Sequence, residues 1–153
     1  MKEIKLTQGK VALVDDEDYD YLMQWKWYLR KDDIRKYAIA HKRKPYSYNE
    51  TVFMHTLIMN PAKGYETDHI DGNGLNNQKY NLRNVTHQQN TMNKRSKKPY
   101  KGVYLRKNGN YTSQIRVNGK VYYLGSCKTI EQAAKRYDLA AAYYYEEYCR
   151  LNF

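Results

Sequence analysis

Residues 68–93 read DHIDGNGLNNQKYNLRNVTHQQNTMN, a run crowded with Asp, His and Asn and interrupted by Gly72 and Gly74. Carboxylate and amide oxygens are hard donors that suit a divalent ion, and an imidazole beside them suits proton transfer near neutral pH. Two familiar metal sites do not fit. A calcium loop of the EF-hand kind counted from Asp71 puts Leu75 fifth and Leu82 twelfth, where oxygen ligands are required. Zinc would call for cysteines or a His pair at i, i+4, and the stretch has neither. Asp71 and Asn73 read as turn-formers that bond their own backbone. His55 and His87 read as structural histidines. Neighbours in a regular strand face opposite ways, so Asp68 and His69 serve one site only if the strand ends or bulges there. Gly72 and Gly74 fit such an irregular loop.

Working outward toward the start, Ile4 and Leu6, then Val11 and Leu13, alternate loosely as strands do, and the acidic run Asp15 to Asp18 precedes Tyr19, Leu22, Met23 and Trp25. Acidic residues are favoured at the positive end of a helix dipole, so a short helix is expected after the strands. Segments 24–30 and 36–43 resemble strands, while 51–59 is short and apolar enough to be strand or helix.

Working outward toward the end, residues 94–99 read KRSKKP, charged and closed by Pro99, and mark a linker or a frayed helix end. Beyond it, Asn118-Gly119 supplies the positive φ angles of a two-residue hairpin turn. That turn pairs Val117 with Lys120, Arg116 with Val121, Ile115 with Tyr122 and Gln114 with Tyr123. One side of the sheet then carries Tyr111, Ser113, Ile115, Val117, Tyr122 and Leu124, and the other Thr112, Gln114, Arg116, Val121 and Tyr123. Residues 102–107 offer a third strand with Val103 and Leu105 on the first side, Tyr104 and Arg106 on the second. Thr129 with Gln132 three residues later is a capping-box start to a helix whose apolar stripe runs Ile130, Ala133, Ala134, Tyr137, Ala141 and Tyr144. This helix is expected to cover the Ile115 side and leave the Arg116 side bare.

Charge separates the two regions. The chain has 153 residues and a net charge of +11, yet residues 1–93 hold 14 Lys or Arg against 12 Asp or Glu, and residues 94–153 hold 13 against 4. So basic a module attracts polyanions, nucleic acid first and anionic lipid next. A lipid surface is disfavoured because no strongly apolar amphipathic face accompanies the charge. Cys127 and Cys149 have no CxxC spacing, so reduced thiols are expected. The start MKEIKLTQGK has no apolar signal core, and no stretch approaches the roughly 20 apolar residues of a membrane span. No membrane association and no protein partner are expected.

The central stretch resembles HNH endonucleases of the homing and phage type. Three features carry the resemblance: Asp68-His69 before IDGNGLNN, then NLRNVT from Asn81 to Thr86, then HQQN ending at Asn90. Upstream, LTQGKVALVDDEDY and MHTLIM look like the family's lead-in. The resemblance implies a hairpin followed by a helix that grip one divalent ion, Mg2+ or Mn2+, with Asp68 and Asn90 as metal ligands. It also implies His69 as the general base, and Asn81 as a positioning residue that braces the loop and holds the His69 backbone. A phage or mobile-element source, in the cytoplasm of a bacterial or infected host cell, goes with it.

Residues 100–153 resemble an AP2/ERF-type DNA-binding domain, through Gly102-Val103, IRVNGK, Tyr123-Leu124-Gly125, EQAAKRYDLAA and the final Arg150-Leu151-Asn152-Phe153. The resemblance implies a three-stranded sheet laid in the major groove of double-stranded DNA, with contacts from Lys101, Tyr104, Arg106, Asn108, Asn110, Gln114, Arg116 and Tyr123. Tyr104, Asn108, Gln114 and Val121 depart from the family's usual Arg, Trp and Glu, which leaves the recognised sequence open.

The expected architecture is therefore α+β: an HNH (ββα-metal) domain over 1–95, a basic linker over 96–99, and a three-stranded antiparallel sheet with one packed helix over 100–153. The expected activity is metal-dependent hydrolysis of DNA phosphodiester bonds. The alternative is a non-cutting DNA-binding regulator that keeps the HNH fold.

Overall fold

Apolar side chains at alternate positions build an N-terminal hairpin in which β1 (Lys2–Lys5) pairs antiparallel with β2 (Val11–Val14), burying Ile4, Ala12 and Val14 with nearby Leu6. In this computed structural model, residues 1–31, 35–42 and 50–153 are described. Arg43, the end of the second strand segment read above, lies outside them. The fold is mixed α+β and divides into two units, Met1–Asn90 and Thr91–Phe153.

The acidic run does begin a helix, α1 (Asp16–Leu22), but Asp15 does not cap it with its side chain. Its carboxylate instead accepts from Gln78 Nε2 at 3.1 Å and the Lys79 backbone N–H at 2.7 Å, and Lys79 Nζ meets Glu17 and Asp18. The run thus anchors the loop that follows His69. The helix ends at Leu22 and is short, as expected. Trp27 Nε1 donates to the Leu22 carbonyl at 2.8 Å, satisfying one of the acceptors that a helix end leaves over.

Next come β3 (Tyr28–Lys31), β4 (Lys36–Lys42) and β5 (Glu50–Phe53), an antiparallel sheet with β4 in the middle. The ambiguous 51–59 segment is both things in turn, because β5 runs directly into α2 (Met54–Met59). Ile4, Val14, Leu22, Trp27, Ala38, Ala40 and Met54 form one buried cluster. The last parts of this unit are a hairpin of β6 (Tyr65–His69) and β7 (Leu82–Thr86), then α3 (His87–Asn93), within which the unit boundary falls. Residues 94–99 are in neither helix nor strand.

In the second unit β8 (Val103–Leu105), β9 (Tyr111–Val117) and β10 (Lys120–Cys127) form an antiparallel sheet with β9 central, backed by α4 (Ile130–Tyr145). Asn118 and Gly119 take φ of 49° and 79°, and the four residue pairs expected from that turn are the ones formed. Alternation then breaks at a bulge between Tyr123 and Gly125, where Gly125 has φ 113°. Thr129 Oγ1 accepts from the Gln132 N–H, capping α4 as expected. The buried stripe is Ala133, Ala134, Tyr137, Ala141 and Tyr145. Four-residue steps from Tyr137 reach Tyr145 and leave Tyr144 half exposed, a correction to the sequence reading. Tyr145 also satisfies its hydroxyl by donating to the Arg116 carbonyl at 2.6 Å. Leu105, expected on the covered side, is exposed at the end of its strand.

Gly102 is where this unit is tightest. Its φ is +74°, and a Cβ there would stand 1.9 Å from the Tyr137 ring and 2.8 Å from the Gln114 carbonyl oxygen. Gly102→Ala should therefore destabilise the unit by about 3 kcal/mol through overpacking and backbone strain together. Gly109, at φ +80° with open space around it, should lose only about 1 kcal/mol as Ala. Urea unfolding of the two variants checks this; equal losses would show that Tyr137 does not close over Gly102.

Candidate active site

The pleat of β6 sorts the chemistry. Glu66 and Asp68 lie on one face and Thr67 and His69 on the other, with regular pairing of Asp68 to Arg83 and His69 to Leu82. The strand is unbroken through His69 and ends there, so the imidazole sits at the lip of the hairpin.

On the first face, the Arg83 guanidinium donates through Nε and Nη2 to Asp68 Oδ2, at 3.1 and 3.0 Å. Both side chains are largely shielded from solvent, so the pair is held more firmly than an exposed one. Two residues earlier, Glu66 faces α3: Oε1 lies 2.7 Å from His87 Nδ1, and Oε2 accepts from Asn90 Nδ2 at 2.5 Å. Asn90 is therefore on the carboxylate face.

On the opposite face His69 is 5% exposed. Its Nε2 is 3.2 Å from Oδ1 of Asn77, which is wholly buried. A carbonyl oxygen only accepts, so Nε2 carries the proton in this pair, and Nδ1 is the basic nitrogen. The His55 ring packs edge-on at 4.8 Å and Tyr37 at 6.0 Å. Burial pushes the His55 pKa down to about 3, assisted by the charge of His69. Burial also lowers His69, while the Asn77 bond and the carboxylates of Asp71 and Asp68 pull the other way. Both rings are neutral at pH 7.

The loop between the strands is built from side-chain amides. Asn81 Oδ1 accepts from the Asp71 N–H at 3.0 Å, and its Nδ2 donates to the Asn76 carbonyl at 2.9 Å and Asp71 Oδ1 at 3.0 Å. Asn81 thus braces residues 71 and 76, while the His69 carbonyl takes its bond from the Gly72 N–H at 2.9 Å. Asp71 and Asn73 each accept from the backbone N–H two residues on, as turn-formers do. The Leu13 N–H donates to the Leu75 carbonyl and the Asn77 N–H to the Leu13 carbonyl, both at 2.8 Å, so β2 fixes the loop from outside. Gly74 completes the fit, since a Cβ there would lie 2.3 Å from the Lys36 carbonyl and 2.6 Å from the Tyr37 ring.

In the second unit Tyr104, Arg106, Asn108, Arg116 and Tyr123 are exposed, and Asn110 and Gln114 are partly so. Arg106 Nε donates to Thr112 Oγ1 at 3.0 Å, and Lys98 Nζ lies 4.1 Å above the Tyr104 ring. Asn108 Oδ1 accepts from the Asn110 N–H within the β8–β9 turn. Lys101 differs from the rest. Its ammonium is half-buried on the Met92 carbonyl at 2.5 Å, and burial brings its pKa down to about 8.

A hairpin ending in a histidine is thus followed by a helix that presents an asparagine to its carboxylate face, a ββα arrangement. Residues 60–92 match the HNH endonuclease family. The chain is 33% identical over 148 residues to an uncharacterized HNH endonuclease of Acanthamoeba polyphaga mimivirus, spanning 95% of this chain and 76% of that one. It belongs to the HNH endonuclease family and is an enzyme of the DNA-endonuclease class. A shorter likeness, 43% over 58 residues, is to an ethylene-responsive transcription factor of Arabidopsis thaliana, and covers 37% of this chain and 32% of that protein. Among the described residues no helix is long and apolar enough to cross a membrane.

Sequence reasoning overlooked two residues at this site. Asn77 was one asparagine among several, and only the fold shows which one reaches an imidazole. Glu66 carried a signal, since it sits two before Asp68 and shares its face in any strand.

The histidine pair has a consequence for stability. A buried imidazole kept neutral binds fewer protons than it does unfolded, so its contribution is full above pH 6.5 and is lost as pH falls from 6.5 toward 3. His55→Phe keeps a ring in place and removes that titration. The difference in unfolding free energy between wild type and variant should therefore change by about 1.4 kcal/mol per pH unit between pH 6 and 4.5. A difference that stays flat across urea titrations in this range would show that His55 is not held neutral.

Proposed function

We propose that this chain hydrolyses DNA phosphodiester bonds with His69 as general base and one divalent ion held by Asp68 and Asn90, and that the second unit binds duplex DNA. The observation that carries the reading is the sorting along β6 and α3, which sets a carboxylate and an amide on one side of the hairpin end and a neutral imidazole on the other. A carboxylate and an amide are the hard-oxygen donors that magnesium or manganese takes. Such an ion, when bound, would polarise the scissile phosphate and neutralise the leaving 3′ oxygen. His69 takes a proton from water on Nδ1, its ring steadied through Nε2 by Asn77. Asn81 acts at a distance, by keeping the loop beyond His69 in one shape.

The AP2/ERF-like reading of the second unit draws support from the bare sheet side of Tyr104, Arg116, Val121 and Tyr123, in a region whose charge is strongly basic. Exposed Arg106 and Arg116 suit bidentate bonds to guanine; Asn108, Asn110, Gln114 and Tyr123 surround them. Lys101 enters this surface with its ammonium already engaged, so it contributes to the shape of the unit more than to phosphate neutralisation.

Incubation with supercoiled plasmid and Mg2+ or Mn2+ should give nicked or linear DNA, and His69→Ala should slow this about 100-fold or more. Breakage that persists at the wild-type rate in the variant would remove His69 from the chemistry. Binding should weaken steeply with added salt. Arg116→Ala should cost about 1–3 kcal/mol of discrimination between preferred and random duplexes. Equal weakening on every sequence, in competition binding at fixed salt, would make Arg116 a phosphate contact instead.

A further inference from the structure

The carboxylate face holds one acidic residue that the metal reading above leaves without a role. Glu66 bonds two residues of α3, His87 through Oε1 and Asn90 through Oε2. His87 and Asn90 are three apart and share one side of the helix. An asparagine amide has two chemically different ends of nearly equal shape, and a half turn of the group exchanges them. Only its oxygen is a ligand for a hard cation. A carboxylate has acceptors alone, so the end of Asn90 that meets Glu66 must be Nδ2, and Oδ1 is turned away from Glu66. Without Glu66 both orientations are open to Asn90, and one of them offers two N–H groups where a lone pair is needed.

We infer that Glu66 is a positioning residue that fixes the amide of Asn90 with its oxygen directed to the cation. This rests on the reading of Asn90 as a ligand. Glu66 works through Asn90 and does not itself ligate. Its second bond, to His87, holds the carboxylate in place from the helix side. Groups that orient a metal ligand are worth about 10–100-fold in affinity when removed.

The test is Mn2+ affinity of the full chain, measured by titration calorimetry and by the electron paramagnetic resonance of free Mn2+, so that no cleavage is involved. Glu66→Ala and Glu66→Gln both delete the charge, but only Gln keeps an acceptor for Asn90 Nδ2. Glu66→Gln should bind Mn2+ within about threefold of wild type and Glu66→Ala about tenfold more weakly, with Asn90→Ala at least as weak as Glu66→Ala. Two equally weakened Glu66 variants would mean that the charge or a direct bond to the ion matters, and would overturn the inference. So would a Glu66→Ala protein that binds like wild type while Asn90→Ala does not, an outcome that leaves the metal reading standing. Unchanged binding in Asn90→Ala would instead remove Asn90 as a ligand and the inference with it. A metal-free readout guards against misfolding: the side-chain NH2 signals of Asn90 in a 15N-labelled sample should move upfield in Glu66→Ala and move less in Glu66→Gln, with the surrounding amide signals unchanged.

Discussion

Adjacent residues of a strand cannot look the same way, and the candidate active site is organised around that fact at Asp68 and His69. The pairing of β6 with β7 is regular to its last residue, so the carboxylate and the imidazole need separate supports. Asp68 is held by Arg83 across the hairpin and flanked by the α3 contacts of Glu66. His69 is held by Asn77 from the loop and by the rings of α2 and β4. What joins the two sides is the end of the strand itself, where the chain leaves the ladder and both side chains border the same turn.

That turn is accordingly held by many bonds. Twelve residues separate His69 from Leu82, and a loop of that length would ordinarily sample many conformations. Here asparagine and aspartate side chains do the work that backbone ladders do elsewhere: Asn81 donates to the Asn76 carbonyl and accepts from the Asp71 N–H, and Asn77 accepts from His69. The outer anchors come from far away in sequence. Asp15 and β2 hold residues 75–79 by backbone and side-chain bonds, which explains why an acidic run at the start of a helix leaves that helix without a side-chain cap.

Local patterns were legible in the sequence to the extent that the relevant bonds are local. Asn118-Gly119 set a register because the turn geometry fixes which residues face each other, and Thr129 marked a helix start because its partner is three residues away. The same reasoning failed where a distant group decides. The Asp15 carboxylate looked like a helix feature because only its neighbours are visible in the sequence. Its true partners lie more than sixty positions on. The Leu124 bulge escaped because period-two alternation has no way to announce a single inserted residue. At the site, Asp68, His69, Asn81 and Asn90 were singled out by a motif, whereas Asn77 and Glu66 became visible only through what they touch.

The two units also use asparagine and tyrosine in opposite ways. In the first, buried amides (Asn76, Asn77, Asn81) are spent on internal bonds, because a loop with little apolar content has no other means of holding one shape. In the second, small residues close the interior: Ala133, Ala134 and Ala141 let α4 lie near the sheet, and Gly102 lets Tyr137 close over the start of β8. Covering one side of the sheet so closely with a single helix leaves the other side without apolar cover. Arginines and tyrosines there keep their polar ends in solvent while their stems and rings shield the strands beneath. A bare side of this composition is stable in water, and on the proposed reading of this unit as a DNA binder it would meet a polyanion without rearrangement of the core.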